Sequence, residues 1–304
     1  MKYKEIEKRS HPRFSGVKTF FRCPQYQQGD QADTLIFGVP FDGGTTYRSG
    51  ARMAPSRVRD ISALGRGYDL HKSQDVFKKL NIYDGGDIPV NPISLLKTYK
   101  SIEDFTLPLW QKKLKMLFVG GDHSITLPLL RSCFKQHGPL NLIHFDAHYD
   151  TYPPAYGEDY HHGTFVRHAV TEKLVQQVWQ FGIRGPLTQG QDKDFVDNNN
   201  IRVFYVDDIK EKGRQILSQL PKVIQGPTYL SFDVDCLDPA FAPGTGTPMV
   251  GGLSSYEAKN LLKNLQIEHL VAADVVEVNP SYDHGDITSL VAADVLLECL
   301  HLMV

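Results

Sequence analysis

Three short segments gather side chains that can hold a metal ion. They read Gly120-Gly121-Asp122-His123-Ser124, His144-Phe145-Asp146-Ala147-His148-Tyr149-Asp150 and Ser231-Phe232-Asp233-Val234-Asp235-Cys236, each following an apolar run. In an extended segment residues two apart face the same way, so Asp146, His148 and Asp150 are expected on one side, as are Asp233 and Asp235. Carboxylates crowded in this way repel one another unless a cation sits among them. With His123 they make a hard, oxygen-rich set of two imidazoles and four carboxylates, suited to Mn²⁺ or a similar ion rather than a thiolate-type zinc site. Such a set suffices for two ions about 3.5–4 Å apart, which lower the pKa of a bridging water. The carboxylates cancel two divalent cations, and a bridging hydroxide leaves the centre slightly negative. Such a centre accepts a cationic substrate better than an anionic phosphate.

Taken singly, these residues say less. A lone aspartate after a strand is more often a helix cap or turn former, and Asp87 and Asp238 are read that way. Glu277, closing a fourth run in Asp274-Val275-Val276-Glu277, is evenly balanced between a substrate carboxylate and a surface acid. His162, in Tyr160-His161-His162-Gly163-Thr164, is a loop histidine, more often solvated than an acid/base group. The metal reading rests on the combination.

The elements that must position these residues alternate. Eight apolar runs are read as strands, at Leu35–Val39, Leu80–Tyr83, Lys115–Val119, Leu140–Phe145, Val178–Ile183, Arg202–Val206, Thr228–Phe232 and His269–Val276. Several are apolar at successive positions, as in strands covered on both faces. Between them, Ser124–His137, Ile209–Leu220 and Ser254–Leu265 carry apolar residues at helical spacing. This rhythm predicts an α/β fold with a mostly parallel sheet, either open or closed into a barrel, with chemistry at the carboxyl ends of the strands.

Composition narrows the class. The 304 residues carry 33 Lys plus Arg against 35 Asp plus Glu, a formal charge of −2, so nothing points to nucleic acid or an anionic membrane as partner. Four scattered cysteines without a CxxC pair fit a reducing compartment. The N-terminus has no signal-peptide pattern and no run is long enough for a membrane span, so a cytoplasmic location is expected. No linker divides the chain, which is read as a single domain over 1–304, with 1–33 an N-terminal extension packing on it.

With these motifs in place, the chain resembles the ureohydrolases (arginase, agmatinase and relatives), and most closely the agmatinases. The resemblance also takes in Gly38-Val39-Pro40-Phe41-Asp42 with Arg48-Ser49-Gly50-Ala51-Arg52, and the run Asp238 to Pro248. It implies a three-layer α/β/α domain with an eight-stranded, mostly parallel sheet, a homo-oligomer (trimer or hexamer), and two Mn²⁺ per chain. His123 and Asp150 would bind one ion and His148 and Asp235 the other, with Asp146 and Asp233 bridging. Glu277 would pair with a substrate guanidinium, Asp150 would pass a proton on, His162 would shuttle protons, and Tyr160 would contact the substrate. The implied reaction is hydrolysis of agmatine to putrescine and urea. Arginases read an α-carboxylate with an SGN-type stretch, absent from Thr151–His161, and an α-amino group with an acidic loop. The matching Ile183-Arg184-Gly185-Pro186-Leu187 has no acid, so arginine is disfavoured. Tyr149, Phe165-Val166 and Met249 depart from the family pattern and leave 4-guanidinobutyrate as an alternative substrate.

Other classes fit less well. A zinc deacylase of related fold would explain His161-His162 but needs one metal, not a six-ligand set. A metallophosphoesterase lacks its GNH segment, and neither GxSxG nor a P-loop occurs. A non-catalytic homologue predicts a lost ligand, and none is missing.

Overall fold

The computed structural model describes residues 12–70, 72–184 and 190–304. Eight strands form one parallel sheet: β1 (Thr34–Gly38), β2 (Ile82–Asp87), β3 (Lys115–Val119), β4 (Leu140–Phe145), β5 (Val175–Ile183), β6 (Ile201–Tyr205), β7 (Ile224–Asp233) and β8 (Ile267–Val276). Their order across the sheet is β2-β1-β3-β8-β7-β4-β5-β6. The sheet is open, so the barrel alternative falls.

Both faces are covered, which explains the unbroken apolar runs. On β3, Met116 and Phe118 point to one core, packed with Tyr99, Ile102 and Trp110 of α3 (Leu95–Trp110) and with Leu127 and Leu130 of α4 (Thr126–His137). The same core takes Phe165 and Val166 of α5 (Phe165–Thr171) and Val196 of α6 (Gln191–Asn198). Leu117 and Val119 point to the opposite core, with Val58 of α1 (Ala54–Ile61) and Ile209 of α7 (Val206–Lys212). Leu261 of α8 (Ser255–Asn264) and Leu296 of α9 (Ile287–Leu302) complete that layer. A one-turn helix, α2 (Val76–Lys79), precedes β2. Helix starts follow local chemistry: Ser254 and Glu257 form a reciprocal capping box on α8, and Ser94 caps α3 through Lys97 N.

Several boundaries move. β2 runs to Asp87, which pairs with Gly38 of β1 after a register shift, and Asp84 within it is buried beside Arg59 at 2.8 Å. Asp87 is not a free turn residue; it pairs with Arg59 Nη2 at 2.8 Å. The stretch read as one helix over 209–220 splits into α7 and a 3₁₀ segment at Gly213, whose φ of 54° ends the α-helix. Ahead of the sheet, Phe20 and Phe21 enter the core, and Phe20 N donates to Asp84 Oδ2 at 2.8 Å. Residues 1–11 of the expected extension lie outside the described residues.

The order across the sheet decides where chemistry can sit. β3, β8, β7 and β4 are consecutive neighbours at its centre, and these four strands carry the acidic and histidine clusters at their carboxyl ends. Segments more than a hundred residues apart are thereby brought side by side, at the crevice where α/β sheets bind ligands.

Candidate metal centre and active-site cleft

Each cluster folds by the same local device. Asp122 Oδ1 accepts from Ser124 N at 3.0 Å, Asp146 Oδ1 from His148 N at 2.6 Å, and Asp233 Oδ1 from Asp235 N at 2.8 Å. An aspartate that closes onto the N–H two residues ahead makes a turn, so the backbone leaves the sheet at once. The side chains therefore do not converge through strand alternation, as the sequence suggested, but through tight turns. Asp150 and Glu277 add positive φ values of 53° and 63°, uncommon for side-chain-bearing residues. The Asp150 conformation is held by its carbonyl, which accepts from Val166 N and Arg167 N at 3.1 and 3.3 Å.

The six predicted ligands come together. His123 Nδ1 lies 3.0 Å from Asp150 Oδ2, 3.1 Å from Asp146 Oδ2 and 3.2 Å from Asp233 Oδ2. His148 Nδ1 lies 3.3 Å from Asp146 Oδ1 and 3.2 Å from Asp235 Oδ2. Asp146 thus faces both histidines, one oxygen to each. His123 Nδ1 is buried without a hydrogen-bond partner, while Nε2 sits 2.8 Å from Ser231 Oγ, which donates to Asp274 at 2.6 Å. A buried nitrogen left bare among three carboxylates has the surroundings of a metal ligand.

Protons show what the cluster lacks. Burial opposes charge on His123, yet Asp146, Asp150 and Asp233 hold its imidazolium well above the usual range. His148 is raised in the same way against its burial, by Asp235 and Asp146. Burial and the neighbouring carboxylates push Asp233 well up and Asp235 up. In the metal-free chain protons do the balancing that divalent cations do better, and the donor set fits such ions.

A cleft of about 420 Å³ opens over the cluster, lined by His148, Asp150 and Asp233 on one side. Tyr152, Pro153, Pro154, Ala155 and Tyr156 form an apolar wall, and His162 also lines it. His162 Nε2 is 2.8 Å from Thr46 Oγ1, and Nδ1 is 3.0 Å from Glu277 Oε1, which also accepts from His123 N at 2.9 Å. Burial works against the His162 charge, but Glu277 wins and raises it to about 9. Glu277 is buried, and its Oε2 has no partner. Gly246 stands beside that oxygen, and a Cβ there would lie 3.3 Å from it. Tyr160 does not line the cleft: it packs on Tyr99 and His168, with its hydroxyl 3.4 Å from Arg131 Nη2. Its aromatic ring follows the core behind α4 rather than the polar loop around it.

A model described as the arginase family matches residues 32–302. The chain belongs to the arginase family. Guanidinopropionase of Pseudomonas aeruginosa is 42% identical to it, over 96% of this chain and 93% of that protein. Proclavaminate amidinohydrolase of Streptomyces clavuligerus is 40% identical over 97% and 96%, and agmatinase of Cronobacter sakazakii 39% over 89% and 87%. The solved structure of the Streptomyces amidinohydrolase superposes with a TM-score of 0.87, covering 96% of this chain and 99% of that one at 38% identity. The expected α/β/α class and family stand. The protein is an arginase-family hydrolase of guanidino C–N bonds, with a His/Asp cluster that can take metal. Among the described residues no helix is long and apolar enough to cross a membrane.

Several arginase-family positions gain a place that sequence did not reveal. His144, read as part of an apolar strand, puts Nε2 2.8 Å from Asp146 Oδ2 and Nδ1 3.0 Å from Gln180 Nε2, orienting the carboxylate. Its signal was a histidine two residues before Asp146 inside an otherwise apolar run. Phe165 does not line the cleft; it stacks on the far side of His123, ring centres 4.3 Å apart. Tyr149 turns away to meet the Tyr205 hydroxyl at 2.9 Å. Asp192, on α6, lines the cleft beyond the stretch 183–187 that carries no acid, of which 185–187 lie outside the described residues.

Arg184 fastens this arginase-family site from behind. It donates to the carbonyls of Asp235 at 2.8 Å, Cys236 at 3.0 Å, Leu237 at 3.1 Å, Gly182 at 3.2 Å and Val250 at 3.1 Å, and to that of Met249. Removing it leaves several carbonyls beside a ligand unsatisfied. Arg184→Ala is expected to lower stability by about 3 kcal/mol, read as an earlier urea midpoint with unchanged slope; an unaltered midpoint contradicts this role.

Proposed function

We propose that the chain is a di-manganese amidinohydrolase that cleaves agmatine with water into putrescine and urea. The observation that carries the reading is the buried, unpartnered Oε2 of Glu277 beside Gly246, on a side chain whose other oxygen contacts His162 of the cleft and His123 of the six-residue ligand cluster. A carboxylate oxygen in that state is suited to the planar N–H fork of a guanidinium.

His123 and Asp150 would hold one ion and His148 and Asp235 the other, with Asp146 and Asp233 shared. Two divalent ions supply, when bound, a water acidic enough to act as nucleophile near neutral pH. Glu277 would hold the guanidinium by charge-assisted hydrogen bonds beside the cluster. Asp150 accepts the proton that water gives up. His162, an imidazolium at neutral pH through its contact with Glu277, holds a proton at the cleft wall and can deliver it to the leaving amine. Thr46 fixes the outer nitrogen of that ring.

Agmatine is favoured over guanidino acids because the described cleft lining contributes no Lys or Arg to receive a carboxylate. Overall identity does not choose, since relatives named for guanidinopropionate, proclavaminate and agmatine are all similarly close. The test is urea release by the Mn²⁺-loaded protein from agmatine, 3-guanidinopropionate, 4-guanidinobutyrate and arginine. The expected outcome is a kcat/KM for agmatine at least tenfold above the rest. A guanidino acid in first place would overturn the substrate, and no urea from any of them would overturn the activity.

A further inference from the structure

We propose that Asp192 is the specificity-determining residue that receives the ammonium at the far end of the substrate. The claim rests on the agmatine reading above and deepens it.

Asp192 is 3% exposed, yet it lines the same cleft as His148, Asp150 and Asp233. Its carboxylate is poorly served for a buried one. Thr151 Oγ1 reaches Oδ1 only at 3.4 Å, and among the described residues the cation paired with it, Arg167 Nη2, stands 4.0 Å away. Arg167 is engaged elsewhere: Nε donates to the carbonyls of Thr151 and Tyr152 at 2.7 and 3.0 Å, and its guanidinium lies over Phe195 at 4.3 Å. A buried carboxylate normally collects several close donors, and among the described residues none comes closer than these. Burial accordingly pushes the Asp192 carboxyl above its usual range, with Arg167 opposing.

The position suits a second recognition point. Thr151, which touches Asp192, directly follows the candidate ligand Asp150, so the acid stands close to the cluster without belonging to it. Among the described lining residues it is the one acid outside the ligand set. Tyr152, Pro153 and Pro154 on the same wall give methylene groups an apolar surface. A guanidine held at Glu277 and ending in a primary amine would then meet one carboxylate at each end. An amine gains a charge-assisted hydrogen bond at Asp192, whereas a carboxylate tail meets a like charge.

The experiment is steady-state urea release by the Mn²⁺-loaded enzyme with agmatine and with pentylguanidine, which replaces the ammonium by a methyl group. Wild type, Asp192→Asn and Asp192→Glu are compared, with bound metal and melting temperature checked for each. We expect Asp192→Asn to raise KM for agmatine by about 10- to 100-fold with kcat changed less than threefold. KM for pentylguanidine should stay unchanged, and Asp192→Glu should recover part of the agmatine loss. Equal damage to both substrates would assign Asp192 a merely structural role, and no damage to either would remove it from the site. Both outcomes overturn this proposal while wild-type turnover of agmatine leaves the proposed function standing. Wild-type protein inert toward agmatine overturns both.

Discussion

Glu277→Gln should abolish guanidine turnover while leaving the metals in place. The substitution keeps shape and one carbonyl oxygen, which can still accept from His123 N, but removes the charge facing the substrate. Stranding a buried cation without its partner costs about 3–5 kcal/mol. At 1.36 kcal/mol per decade that is a loss of roughly 10²- to 10⁴-fold in kcat/KM. His162 should respond as well, because Glu277 is what raises it, so its imidazolium becomes less stable in the variant. The check is kcat/KM together with bound metal per chain. Activity near wild type, or loss of metal along with activity, would reject the role given to Glu277.

Asp233→Asn should change stability in opposite directions with and without metal. Burial and the neighbouring Asp235 and Asp146 hold the Asp233 carboxyl well above its usual range. In the metal-free protein folding therefore favours its protonated form, whereas the unfolded chain ionises it near pH 4 (about 3.9). A folded value above the unfolded one lowers stability as pH rises past the latter, and asparagine removes that cost. The metal-free variant should melt at or above wild type at pH 7, and the gap should close toward pH 4. Added Mn²⁺ should reverse the order. Binding only the folded state at a thousand times Kd is worth about 4 kcal/mol, and a variant lacking a carboxylate proposed as shared should gain much less. Melting curves at pH 7 with chelator and with Mn²⁺ decide it. A wild type that ignores metal, or a variant stabilised equally, contradicts the cluster's role.

Much of the site could be read from the chain because its residues lie in compact motifs at strand ends. A parallel sheet forces those ends to one edge, so the residue types of Asp146-Ala147-His148 and Asp233-Val234-Asp235 pointed to the cluster before any coordinates. Their convergence comes not from period-two alternation, which ends where Asp146 and Asp233 close their own turns, but from those turns. What stayed hidden depends on tertiary approach. Asp192 enters the cleft on α6, outside the acid-free stretch 183–187 at the end of β5. His144 looks like core because its partners, Asp146 and Gln180, are joined to it through a turn and a neighbouring strand. Tyr160 shows the opposite: it neighbours candidate site residues in sequence but packs against Tyr99 and Arg131.

The most direct test is a titration of metal-free protein with Mn²⁺, following urea release from agmatine against metal bound per chain. A binuclear amidinohydrolase built on Asp146 and Asp233 predicts that activity rises to a plateau at two ions per chain, with putrescine and urea formed in equal amounts. A plateau at one ion, or metal binding without urea, would contradict it.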